Sequence, residues 1–129
     1  MRNLYLVFIF IILYNCNSQD KNIRNENTTV KLEISNNWKK DKDGCLRLRS
    51  EKLAENLIKN YNLNNKSKLD FRKIFGKPNK IKKEDNQVVY IYYFDSICVK
   101  GNIRKDSDKC YAEFYFVNDK YKDVIFICE

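Results

Sequence analysis

Apolar and polar positions divide the chain into stretches of different period. After Arg2, residues 4–13 (LYLVFIFIIL) form an uncharged apolar run of ten. A helix needs roughly 20 such residues to cross a bilayer, so this run is too short to span one. A positive charge, a short apolar core and then polar sequence is the layout of an export signal, here residues 1–15. From Cys16 the sequence turns hydrophilic and Asn-rich, and only Val30, Leu32 and Ile34 alternate. Residues 16–37 read as a polar tether, in which 30–34 could make a short edge strand.

Residues 38–129 are expected to form one folded domain. Ser50 can cap a helix whose apolar stripe is Leu53, Ala54, Leu57, Ile58 and Tyr61, spaced by three and four. Ser67 and Asp70 make a variant capping box for a second, shorter helix, with Leu69, Ile74 and Phe75 inward and Phe71 at the margin. Gly76 suits the left-handed position that follows, and Pro78, the only proline, prevents continuation. The period then falls to two. Residues 87–95 (QVVYIYYFD), 110–117 (CYAEFYFV) and 121–128 (YKDVIFIC) are strand-like, rich in β-branched and aromatic residues. Asn118-Asp119 makes a tight hairpin turn, and a longer loop, 99–109, joins the first two strands. The predicted class is α+β: two helices packed on one face of a three-stranded antiparallel meander sheet, preceded by the signal peptide and tether.

Five cysteines, Cys16, Cys45, Cys98, Cys110 and Cys128, add to this picture. Leu13-Tyr14-Asn15-Cys16, closing the apolar run, resembles a bacterial lipoprotein signal. The resemblance implies that Cys16 is acylated and becomes the mature N-terminus. Asn17 after it implies sorting to the bacterial outer membrane, lipid-anchored and facing the periplasm or the cell surface. At about 0.8 kcal/mol per buried methylene, two or three acyl chains hold where a single chain does not. Four cysteines remain, an even number suited to two disulfides in an oxidising compartment. Of the three connectivities, the expected one joins Cys98 to Cys110 across the 99–109 loop and Cys45 to Cys128. A two-residue turn at Asn118-Asp119 would point Cys110 and Cys128 to opposite sheet faces unless a bulge intervenes.

Phe75-Gly76-Lys77-Pro78-Asn79, the aromatic strand at Tyr90-Ile91-Tyr92-Tyr93 and the hairpin from Phe114-Tyr115-Phe116-Val117-Asn118-Asp119-Lys120 carry a further likeness. Together they resemble small lipoproteins of the SmpA/OmlA (BamE-like) kind, over roughly residues 67–129. That family, like the β-lactamase-inhibitor-like domains, packs two helices on an antiparallel sheet, and the resemblance implies that layout for 38–129.

Composition limits the chemistry. The 129 residues carry a formal charge of +8 and no histidine, which removes the usual general base and the commonest metal ligand. Without a CxxC pair or a histidine, the cysteines suggest neither a metal site nor an activated thiol. Asp41-Lys42-Asp43-Gly44 matches part of a calcium loop, but Lys39 and Ser50 hold its first and bidentate ligand positions, which favours a solvated turn. The pairs Asp106/Asp108 and Glu84/Asp85 fall in predicted loops and read as solubility features. No enzyme activity, cofactor, metal or nucleic-acid partner is expected.

Lys77, Lys80, Lys82 and Lys83 cluster after the second helix and could meet anionic headgroups, lipopolysaccharide phosphates or an acidic partner. Lys80, Lys82 and Lys83 are the candidate binding lysines. Tyr90 and Tyr92 share one sheet face with Phe94, whereas Tyr93 shares the other with Val89 and Ile91. An aromatic face that the helices leave bare is a protein-binding candidate, which puts Tyr90, Tyr92 and Tyr93 beside the three lysines as candidate partner-binding residues. The chain is thus expected to be a membrane-anchored, non-enzymatic binding or scaffolding lipoprotein that holds another envelope protein. The fold analogy implies an inhibitor or immunity protein as the alternative.

Overall fold

A computed structural model describes the backbone from Gln19 and the side chains from Thr28. The export signal and Cys16 lie outside the described residues. The chain divides into two units, Met1–Leu32 and Glu33–Glu129, and the packing below is that of the second. Three described helices, α1 (Gln19–Lys40), α2 (Glu51–Asn60) and α3 (Lys68–Phe75), precede the strands. Four strands, β1 (Lys80–Glu84), β2 (Gln87–Ser96), β5 (Lys109–Val117) and β6 (Lys120–Cys128), form one antiparallel sheet in the order β1-β2-β5-β6. Inside the 99–109 loop, β3 (Cys98–Val99) and β4 (Asn102–Ile103) pair as a small separate ribbon. The chain is therefore α+β, with one helix and one sheet strand more than expected.

From Gln19 on, helix α1 stands where a polar tether with an edge strand at 30–34 is expected. Ile34 packs on the core, Ser35 and Trp38 are buried, and the Ser35 hydroxyl donates to the Ile74 carbonyl at 2.7 Å. A strand would turn Ile34 and Ser35 to opposite sides, whereas a helix brings residues one and four apart to the same core. Strand β1 escaped notice because KIKKE holds a single apolar residue and so shows no alternation. It pairs Lys80 with Ile91 through Glu84 with Gln87, leaving Asp85-Asn86 as the turn.

Helix α2 starts where Ser50 accepts a hydrogen bond from the Leu53 amide at 3.1 Å, and it buries Ala54 and Leu57. In α3, the Ser67 hydroxyl accepts from the Asp70 amide as an N-cap. It also donates to the Asp70 carboxylate, which thus bonds the hydroxyl and not the Ser67 amide that a capping box would use. The inward face is nevertheless Phe71 and Phe75, one turn apart, while Leu69 is 67% exposed. Phe71 stacks on Phe75 at 4.3 Å between centroids and meets Phe114, Phe116 and Tyr121 at 4.9, 5.1 and 5.2 Å. Trp38 closes the cluster edge-on to Phe75 at 5.0 Å. All three helices feed this core on one sheet face, which β2 supplies with Tyr90, Tyr92 and Phe94 and β5 with Ala112, Phe114 and Phe116.

The segment between α1 and α2 folds around two buried charges. Asp41 accepts from the amides of Leu46 and Leu48, both at 2.9 Å, so the calcium-like turn uses its carboxylate to hold its own backbone. Gly44 has φ +70°, and a Cβ there would lie 2.9 Å from the backbone of Phe94 and Asp95. Glycine is what allows this approach.

The disulfides join Cys45 to Cys98 and Cys110 to Cys128, correcting the expected Cys98–Cys110 and Cys45–Cys128. The cause is register. The turn residues Asn118 and Asp119 both have positive φ and pair Val117 with Lys120, as a two-residue hairpin requires. Phe116 still faces Tyr121, but Tyr115 faces Asp123, so Lys122 is an extra residue in β6. That bulge advances the pairing by one and sets Cys110 directly across from Cys128, their Cα atoms 4.0 Å apart. Cys98 lies beyond the last pair of β2 with β5, Ser96 with Lys109, and bridges to the Cys45 loop instead.

Candidate functional site: the helix-free face of the sheet

Because strand side chains alternate, the face turned away from the helices is set by register. Across it run Lys80 and Lys82 of β1, then Val89, Ile91 and Tyr93 of β2, Tyr111, Glu113 and Tyr115 of β5, and Ile125 and Ile127 of β6. Val89 and Ile91 are 1% and 3% exposed although they belong to no helix-side cluster. The ion pair between Lys82 Nζ and Glu113 Oε1, 2.8 Å, shows how they are covered. It runs from β1 to β5 and so bridges over the intervening β2.

Glu113 is the electrostatic centre of this face. Tyr115 donates to its other oxygen at 2.7 Å. Burial alone would push this carboxyl up, but the hydrogen bonds from Lys82 and Tyr115, with the lysine charge, outweigh it and hold Glu113 below the ordinary 4.5. The partners move in the complementary sense: the bond to Glu113 raises the Lys82 ammonium and pushes the Tyr115 phenol up to about 12. Tyr111 donates to Glu129 Oε1 at 2.6 Å, and that bond pushes its phenol up to about 12 as well. Tyr93 meets Tyr111 edge-on at 6.4 Å, and the Lys80 ammonium stands 5.9 Å from the Tyr93 ring centre. At this end the sheet is hollowed into a cleft of about 530 Å³. Ile91, Tyr93 and Tyr111 line it, together with Lys80 and Lys82 from β1 and Asp106 and Asp108 from the segment before β5.

Of the six candidate partner-binding residues, the structure brings together Tyr93, Lys80 and Lys82. Tyr90 and Tyr92 lie in the helix-side core, where the Tyr92 hydroxyl donates to the Gly76 carbonyl at 2.8 Å and burial raises its phenol. Lys83, opposite Val88, points to the face that Lys80 and Lys82 do not share. Tyr111, Glu113 and Tyr115 were missed as site residues. Their alternation inside CYAEFYFV was visible, but which alternate set faces the helices depends on a register that no local pattern supplies. Asp106 and Asp108, taken for solubility features, are part of the cleft wall.

Among the described residues no helix is long and apolar enough to cross a membrane, and no cluster of histidine, cysteine or carboxylate side chains is arranged to hold a metal ion. Comparison of the chain with protein-family models, with curated proteins and with solved structures finds no match in any of the three.

Proposed function

We propose that this chain is an envelope lipoprotein, exported by residues 1–15 and acylated at Cys16, whose folded unit binds another envelope protein on the helix-free sheet face. One observation carries the binding reading: Tyr93, Tyr111 and Tyr115 stand on a four-stranded sheet with the core on its other side, Tyr111 held by Glu129, Tyr115 by the Glu113 that Lys82 pairs, and Tyr93 against the Tyr111 ring and the Lys80 ammonium. Tyrosines held this way offer large contact area with little rotamer freedom left to lose, which suits a protein partner. The two disulfides favour an oxidising compartment and thus export. The resemblance of residues 67–129 to BamE-like lipoproteins favours the same setting, without assigning that family's role here.

Two measurements test the parts separately. Metabolic labelling with palmitate should mark the wild-type chain and not Cys16→Ser; equal labelling of both would remove the anchor. A photo-crosslinking residue at Tyr111 in living cells should give a discrete adduct that the same residue at Leu69, on α3, does not. Identical patterns from the two positions would remove the binding face.

A further inference from the structure

The Cys45–Cys98 bridge joins two exposed stretches, 45–48 between α1 and α2 and 97–105 around the β3–β4 ribbon. Among the described residues nine large aliphatic side chains stand exposed, and four of them flank this bridge: Leu46 and Leu48 after Cys45, Ile97 and Val99 on either side of Cys98. The backbone that displays them is fixed. Asp41 holds the amides of Leu46 and Leu48, the bridge brings the Cα atoms of Cys45 and Cys98 to 5.6 Å, and the Arg104 amide donates to the Ile97 carbonyl at 2.8 Å. Four aliphatic side chains gathered on a rigid base and left uncovered mark a contact surface.

Charge and shape identify what it meets. The charged residues within these stretches are Arg47, Lys100, Arg104 and Lys105, all basic and all exposed. No ion pair among the described residues engages them, and acids enter only beyond the stretches, at Asp43, Asp95 and Asp106. The ribbon is separate from the main sheet, and its turn at Lys100-Gly101 is open: a Cβ on Gly101 would meet nothing within 4 Å. Four aliphatic side chains, each about half exposed, fall well short of the roughly 800 Å² that each side of a standard protein interface buries. A lipid interface asks for no matching surface. It takes aliphatic side chains at the depth of the headgroups and basic ones against the phosphates around them. We infer that the tip formed by 45–48 and 97–105 docks on an anionic lipid bilayer, its aliphatic side chains entering the interface and its four basic ones pairing with lipid phosphates. This goes beyond the helix-free face and uses none of its residues.

The test is tryptophan quenching. Trp38, the chain's only tryptophan, is fully buried, so a second one reports its own surroundings. Full chains carrying Val99→Trp or Leu69→Trp are reconstituted into phosphatidylcholine vesicles with about one-third phosphatidylserine, with and without bromine on the acyl chains. Emission from the Val99→Trp chain should move to shorter wavelength and fall by roughly half in brominated vesicles, as for a side chain ~5–10 Å into the headgroup boundary. The Leu69→Trp chain, altered on α3, should change in neither respect. Pure phosphatidylcholine, about 1 M salt, or the added pair Lys100→Gln and Arg104→Gln should each restore most of the emission. An unquenched Val99→Trp chain, quenching equal to that of Leu69→Trp, or quenching indifferent to lipid charge, salt and the glutamine pair overturns the inference. Palmitate labelling reads the anchor separately and the Tyr111 adduct reads the binding face, so a failure of the tip is told apart from a failure of either.

Discussion

The guanidinium of Arg49 lies 4.8 Å from the centre of the Trp38 indole ring, and its Nε donates to the carbonyl of that same tryptophan at 2.7 Å. Arg49 therefore grips both the side chain and the backbone at the end of α1. Its Nη1 also donates to the carbonyls of Lys42 and Tyr93, both at 2.8 Å, so one buried side chain ties α1, the following loop and β2 together. Burial pulls its pKa down to about 10, still far above neutrality, so the charge is retained. Arg49→Ala would leave three carbonyls without this donor and should destabilise by about 3–4 kcal/mol in urea unfolding. Arg49→Lys should recover only part, since an ammonium lacks the planar fork. A loss under about 1 kcal/mol for the alanine variant would contradict this.

The bulge at Lys122 makes the pairing of Cys110 with Cys128 a matter of one residue. Deleting Lys122 removes the extra residue and lets a regular ladder carry Cys110 to Cys128, so the bridge should persist with no alkylatable thiol by intact mass. Two free thiols in that variant would contradict Lys122 as the bulge. The Cys45–Cys98 and Cys110–Cys128 bridges span 53 and 18 residues of sequence. In the chain-entropy account, replacing each pair by serine costs about 4 and about 3 kcal/mol respectively. Equal costs, or a larger one for the shorter loop, would show that native contacts outweigh loop length.

Phe71 and Leu69 provide a paired test of the α3 face. Phe71→Ala empties the middle of an aromatic cluster and should cost about 3–5 kcal/mol. Leu69→Ala, on a residue 67% exposed, should change stability by less than about 0.5 kcal/mol. Thermal unfolding of the two variants reads the difference directly.

The charges on the helix-free face predict opposite trends at the two ends of the pH scale. Glu113 is held below its ordinary 4.5 in the folded state, so its contribution is complete above about pH 4.5 and fades as the pH falls through the folded value. Tyr111 and Tyr115 are raised from 10.0 to about 12, so theirs is complete below pH 10 and fades between pH 10 and about 12. Glu113→Gln should flatten the acid limb of a stability–pH curve and bring the Tyr115 phenol back toward 10 in ultraviolet titration. An unchanged tyrosine titration in that variant would show that Glu113 does not hold Tyr115.

Short-range signals were readable where they were complete. Ser50, Ser67 and Gly76 bounded α2 and α3 because a cap is a local device, and the three aromatic strands announced themselves by composition. What failed was anything decided at a distance. The alternation of Val30, Leu32 and Ile34 suggested a strand, yet Trp38, a turn beyond Ile34, required a helix so that both could reach the core. Leu69 was assigned inward and Phe71 to the margin because hydrophobicity does not reveal which stripe of a short helix meets aromatic partners. Within the site, alternation alone placed Tyr93 apart from Tyr90 and Tyr92, but only the helices decide which set is buried. The disulfide pairing turned on Lys122, an ordinary lysine with no local mark of a bulge.

A four-stranded open sheet has two outer strands, and each is defended differently. Along β1 three of the five side chains are lysines, Lys80, Lys82 and Lys83, which repel a like neighbour, and the start of β6 is plugged by the chain itself, where the Asn65 amide donates to the Tyr121 carbonyl and the Tyr121 amide to that of Lys66. Copies crowded side by side therefore meet lysine charge along one edge and an occupied ladder at the start of the other, which disfavours zipping into a continuous ribbon and helps a dense population stay as separate molecules.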